Sequence, residues 1–161
     1  MAFESLFPYL PLRQLASERS SKVQSKQHLL LALNGRPGDV YDEDAFRHFL
    51  AVERMRAQRS QRPFLLLLVS IRGSRIIDEV PGSVSPALFT GLGLCVREID
   101  FVGWYRQGRV AGAVLPQGVG LHDRDASHRI VSRVNRILGE HLPSVAGRLR
   151  VRTVQLGARA R

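Results

Sequence analysis

Lysine is nearly missing from this 161-residue chain: all but Lys22 and Lys26 of its 24 basic residues are arginine. Cysteine occurs once, at Cys95, which excludes an internal disulfide, and its place on the apolar stripe of a predicted helix fits an inert buried thiol. No apolar run exceeds Phe64 to Val69, far short of the roughly 20 residues a membrane-spanning helix needs. The opening MAFESLF has no basic n-region and no long apolar stretch before a small-residue cleavage site, so a cytoplasmic location without a secretory signal or transmembrane anchor is expected. P-loop, dinucleotide-binding and nucleophile-elbow patterns are all missing, which leaves the common nucleotide hydrolases, dehydrogenases and serine hydrolases without support.

What is present is the composition of one globular domain, 44% hydrophobic and 24% charged, with a formal net charge of +10. An excess of arginine favours phosphate-rich or otherwise anionic partners, yet bulk charge is equally a solvated surface, so position has to decide. Residues 1–40 read as an N-terminal extension: LFPYLPL carries two prolines, and Lys22 to Leu33 has helix formers ending at Asn34-Gly35. The main domain is expected over 41–161.

Within it, Asp42, Glu43 and Asp44 open a helix that closes near Ser60 with Arg54, Arg56 and Arg59, a charge order that complements the helix dipole. Phe46, Phe49, Leu50 and Met55 are the expected inward face. The run from Phe64 to Ile71 fits a strand buried on both faces. Ser85-Pro86 reads as N-cap and first position of a second helix, along which Leu88, Leu92, Cys95, Val96 and Ile99 follow helical spacing. Phe101 to Tyr105 and Val110 to Leu115 form a hairpin turning at Arg106-Gln107-Gly108. A third helix is expected from Asp125 to Leu138, with Gly139 as its stop, and Arg148 to Leu156 is the last strand. The alternation predicts an α/β fold, a mixed central sheet flanked by helices.

The segment VREIDFVGWYRQGRVAGAVLP, Val96 to Pro116, resembles the signature hairpin of the GGDEF (diguanylate cyclase) family, R-x-x-D-x-V-x-R-x-G-G-D-E-F followed by apolar residues and proline. Arg97, Asp100, Val102 and Pro116 match. The turn itself reads Arg106, Gln107, Gly108, Arg109, Val110, so Gly108 survives and no acid does, and the hairpin is one residue longer than the usual form. Where the family's first core strand ends in D-x-D, this chain has Ser70, Ile71, Arg72; its late strand RTVQLG is similar to T-V-S-I-G through Thr153, Val154 and Gly157. The segment after the first strand lacks the phenylalanine and asparagine that cyclases use near the base, and the end at Arg161 implies a C-terminally shortened form of the fold.

The resemblance implies a nucleotide-cyclase-like fold and a degenerate, non-catalytic domain, because the family's two divalent metals need carboxylates that Ser70, Arg72, Gly108 and Arg109 do not supply. It also implies that Arg97 and Asp100 correspond to the family's inhibitory cyclic di-GMP site; the competing reading is an intramolecular ion pair. The GWY reading is similar to short degenerate GGDEF-like domains of bacterial exopolysaccharide and sugar-transferase systems, which implies a protein partner and, since relatives often dimerise, a homodimer. Trp104, Tyr105, Arg106 and Arg109 are the candidate partner surface, although a strand sends adjacent side chains to opposite faces. His122, Asp123, Asp125 and His128 meet no zinc or calcium spacing, and no metal or cofactor is expected. The alternative function is an arginine-rich nucleic-acid-binding module using Arg148, Arg150 and Arg152 with Arg159 and Arg161.

Overall fold

A carboxylate starts the described part of the fold. In a computed structural model that describes residues 40–73, 79–116 and 124–157, Asp42 accepts a hydrogen bond from the Ala45 N–H at 2.9 Å and so caps helix α1, Glu43–Ser60. The helix ends at Gln61, which takes the left-handed conformation (φ 54°). Ala45, Phe46, Leu50 and Ala57 are its buried residues. Met55, expected inside, is 50% exposed: it lies nine residues from Phe46, and at about 100° per residue that is half a turn away from the buried stripe.

Strand β1, Phe64–Ile71, is buried along its length except at Ser70. Its odd residues Leu65, Leu67, Val69 and Ile71 belong to one core cluster and its even residues Phe64, Leu66 and Leu68 to another, which is the two-faced burial its unbroken apolar run predicts. Helix α2, Ser85–Cys95, begins one residue earlier than expected, with Val84 rather than Ser85 at the cap and Pro86 in its first turn. It stops at Cys95, so Ile99 leaves the helical stripe and is 64% exposed. Strands β2, Phe101–Arg106, and β3, Val110–Leu115, form the hairpin. Helix α3, Arg124–His141, runs past Gly139; Leu142, 3% exposed, belongs to the core and its N–H still donates to the Leu138 carbonyl at 2.8 Å, so Pro143, not the glycine, ends the run. A short 3-10 turn, Ala146–Arg148, leads into β4, Leu149–Leu156.

The sheet order is β2-β3-β1-β4, with every strand pair antiparallel. Parallel pairing, expected from a mixed sheet, is confined to a single bridge between Tyr41 and Gly103. β1 and β2 still run the same way with β3 between them, joined by α2, a split βαβ unit. Helix α1 covers the face of Phe64, Leu66, Leu68 and Val114, while α2 and α3 cover the other. The α1 layer is seated by glycine: a Cβ on Gly112 would meet the Phe46 ring at 2.7 Å, and one on Gly103 would meet the Tyr41 carbonyl at 2.5 Å. Gly91 serves α2 and α3 in the same way, since its Cβ would meet Leu138 at 2.7 Å. The expected extension, 1–40, and the helix within it lie outside the described residues but for Val40. Among the described residues no helix is long and apolar enough to cross a membrane.

Candidate functional site: a groove between helix α2 and the hairpin

The hairpin places the signature residues at two ends of one groove. Trp104 pairs with Ala111 and Arg106 with Val110, so Tyr105 is an extra residue absorbed as a β-bulge. That bulge accounts for the added residue in the hairpin. Beyond it, Gly108 takes a positive φ of 69°, a conformation that suits glycine, and the Arg109 N–H donates to the Arg106 carbonyl at 3.0 Å. Two distant contacts pin the turn: the Gln107 N–H donates to a Glu43 carboxylate oxygen at 2.7 Å, and the Val80 N–H donates to the Gly108 carbonyl at 2.8 Å.

At the other end, Arg97 and Asp100 are brought together. The Arg97 N–H donates to Asp100 Oδ2 at 2.7 Å, the guanidinium lies 3.5 Å from Asp100 Oδ1, and the same guanidinium donates to the Pro116 carbonyl at 3.0 Å. Only 1% of the Asp100 side chain is exposed, against 51% for Arg97. The aspartate is therefore used inside the turn, as the ion-pair reading requires, while the arginine keeps a free edge toward solvent.

Between these ends runs a groove of about 1100 Å³ whose lining includes Phe89, Trp104, Pro86 and Thr90 together with Arg97 and Gly108. Phe89 and Trp104 meet edge to face, centroids 4.9 Å apart. Trp104 is 8% exposed, so the expected exposed aromatic platform is not formed by its ring; Tyr105, on the other face, is half-buried and edge-on to Phe46. Alternation along β2 sends one ring to each core. Arg106 and Arg109 are exposed at the turn. A lining that combines apolar side chains with a guanidinium and backbone polar groups suits a flat ring system carrying an anionic group.

The sequence resemblance aligns Ser70 and Arg72 with the metal-binding acids of the cyclases. Ser70 faces Val110 across the strand pair, with Arg72 just beyond the end of β1. A neutral hydroxyl and a guanidinium do not fit a pair of divalent cations, which require several anionic oxygens. Glu43 is the carboxylate near the turn, and it is engaged by the Gln107 N–H and by Arg47. No group of three or more His, Cys, Asp and Glu side chains converges among the described residues. Asp125 is exposed on the first turn of α3 and His128 is exposed on the same helix; His122 and Asp123 lie outside the described residues. Cys95 is half-buried and donates to the Gly91 carbonyl at 3.1 Å. Burial pushes its thiol pKa up against a smaller downward pull from Arg133 and Arg136, which keeps it protonated and unreactive at neutral pH.

No protein-family model matches the chain, and no curated protein matches it. Among solved structures, it is similar to a DGC protein from Thermotoga maritima, with 20% identity and a TM-score of 0.52 over 74% of this chain and 83% of that one. It is also similar to residues 156–455 of PelD from Pseudomonas aeruginosa PA14 in its apo form, with 16% identity and a TM-score of 0.39 over 69% of this chain and 42% of that one. The fold is that of a GGDEF-like, cyclase-type α/β domain.

Proposed function

We propose that this GGDEF-like domain is a non-catalytic regulatory or scaffolding module that takes up a guanine-containing signalling nucleotide, cyclic di-GMP, in the groove between α2 and the hairpin. The observation that carries the reading is the half-exposed Arg97 guanidinium held at the rim of an apolar groove by a covered carboxylate. In this reading Asp100 is a positioning residue: it fixes the backbone and side chain of Arg97, and the arginine meets the ligand's phosphate or guanine edge. Phe89 and Trp104, which line the groove though largely buried, add apolar contact for the ligand. Turnover is not part of the function, because Ser70, Arg72, Gly108 and Arg109 stand where metal-binding carboxylates are needed. By its resemblance, the domain belongs to bacterial second-messenger signalling or polysaccharide production and passes its ligand state to a protein partner, with the exposed turn arginines Arg106 and Arg109 as the contact.

Calorimetric titration with cyclic di-GMP tests the reading. Saturable binding should weaken at least about tenfold in Arg97→Ala, the loss of one charge-assisted contact of roughly 1.5–3 kcal/mol. Equal affinity in wild type and Arg97→Ala, or no heat of binding in either, would rule it out.

A further inference from the structure

The sheet face under α1 is only partly covered. Along β1 the even residues pass from buried, at Phe64, Leu66 and Leu68, to intermediate at Ser70, and Arg72 beyond them is exposed. The neighbouring strand β4 is a sheet edge, and none of its residues is buried. Arg152 lies opposite Leu68 and Arg150 opposite Ser70, so both side chains stand on the α1 face, beyond the part the helix covers. The next step along the ladder joins two more arginines, the Arg72 N–H donating to the Arg148 carbonyl at 2.8 Å. Arg72, Arg148, Arg150 and Arg152 are all exposed. The described ion pairs use Arg47, Arg56, Arg97 and Arg136 instead, and none of the four corner guanidiniums is paired among the described residues.

Four unpaired like charges on one corner of a sheet repel one another, and an anionic occupant relieves that more fully than solvent and dissolved salt do. Alternate residues of a strand are about 7 Å apart, so Arg150 and Arg152 form a row of guanidiniums along β4. A polyanion with regularly spaced charges fits such a row better than a single small anion. Among the described residues the corner carries no exposed aromatic side chain, and the large exposed apolar residue on β4 is Val154, at 40%; a protein interface would need a buried apolar or aromatic anchor at its centre. Guanidinium forks without anchors or stacking rings match phosphate oxygens and do not read bases.

We propose that the corner formed by Arg72, Arg148, Arg150 and Arg152 is a docking surface for the phosphate backbone of a nucleic acid, bound without sequence preference. It is separate from the groove, which lies on the α2 side of the hairpin. The test is fluorescence anisotropy of the full chain with two labelled 20-nucleotide single strands of unrelated sequence, over a series of salt concentrations. Both strands should bind alike, with log affinity falling against log salt at a slope of roughly −3 for four phosphate contacts. Arg150→Ala/Arg152→Ala, with its fold checked by circular dichroism, should bind at least about tenfold more weakly and lower the slope by roughly half. Arg72→Ala should shift both in the same direction by less, and Arg136→Ala, an exposed arginine on α3 outside the corner and the groove, should shift neither. Absence of binding, an unchanged slope in the double variant, or equal competition by a polyglutamate peptide of matched charge, which would mark an acidic protein as the partner, would each overturn the proposal.

Discussion

Phe46→Ala should lower the unfolding free energy by about 3–5 kcal/mol, a large part of the 5–15 kcal/mol that holds a domain of this size together. The side chain is fully buried, and its ring sits on the backbone of Gly103 and Gly112, a seat that a single Cβ would fill. It also meets Phe101 and Tyr105 edge to face, at centroid distances of 5.9 and 6.4 Å. Truncation leaves a cavity between α1 and the hairpin that neither rigid glycine backbone can close. Met55→Ala, on the same helix but half-exposed, should change stability by no more than about 0.5 kcal/mol. Urea denaturation of the two variants measures both values, and similar losses would show that α1 is not seated as described.

Asp100→Ala should cost about 2 kcal/mol, which is unusual for a residue next to the rim of an open groove. Its carboxylate accepts from the Arg97 N–H at 2.7 Å and faces the Arg97 guanidinium at 3.5 Å, while the Asp100 N–H donates back to the Arg97 carbonyl at 3.0 Å. Removing the side chain leaves the Arg97 N–H without its acceptor and releases the guanidinium. Asp100→Asn keeps a carbonyl oxygen for that N–H and should recover more than half of the loss. Its ligand affinity should stay below wild type, because the arginine is no longer held by charge. Denaturation and titration of the two variants separate the roles: a stability loss of the same size in both would mean that charge, not the turn hydrogen bond, holds this end of the groove.

Local signals made much of this fold legible in the sequence. The cap at Asp42, the two-faced burial of β1 and the turn at Gly108 each depend on a few adjacent residues, and each forms where the pattern placed it. Helix ends were harder. Ile99 fits a helical stripe that had already stopped at Cys95, and Gly139 was passed because Leu142 draws the chain on into the core. Arg97 and Asp100 do meet, and the structure adds that the aspartate is spent on the turn. The contacts of Glu43 with Gln107 and of Val80 with Gly108 had no signal in the sequence, since they join residues distant along the chain through the packing of α1 and the loop before α2. Phe89 became part of the groove lining for the same reason; its neighbour Trp104 is set by alternation along β2, which says that Trp104 and Tyr105 part company but not which ring faces the groove.

In the function proposed above, the groove between α2 and the hairpin takes up a guanine nucleotide without turning it over. Amide and indole chemical-shift mapping during addition of cyclic di-GMP tests it most directly, because the chain's single tryptophan, Trp104, lies in that groove. Saturating shifts gathered at Gly93, Arg97, Asp100, the Trp104 indole and Gly108 are the predicted result. A spectrum that does not change, or shifts confined to Arg148, Arg150 and Arg152 at the sheet corner, would contradict it.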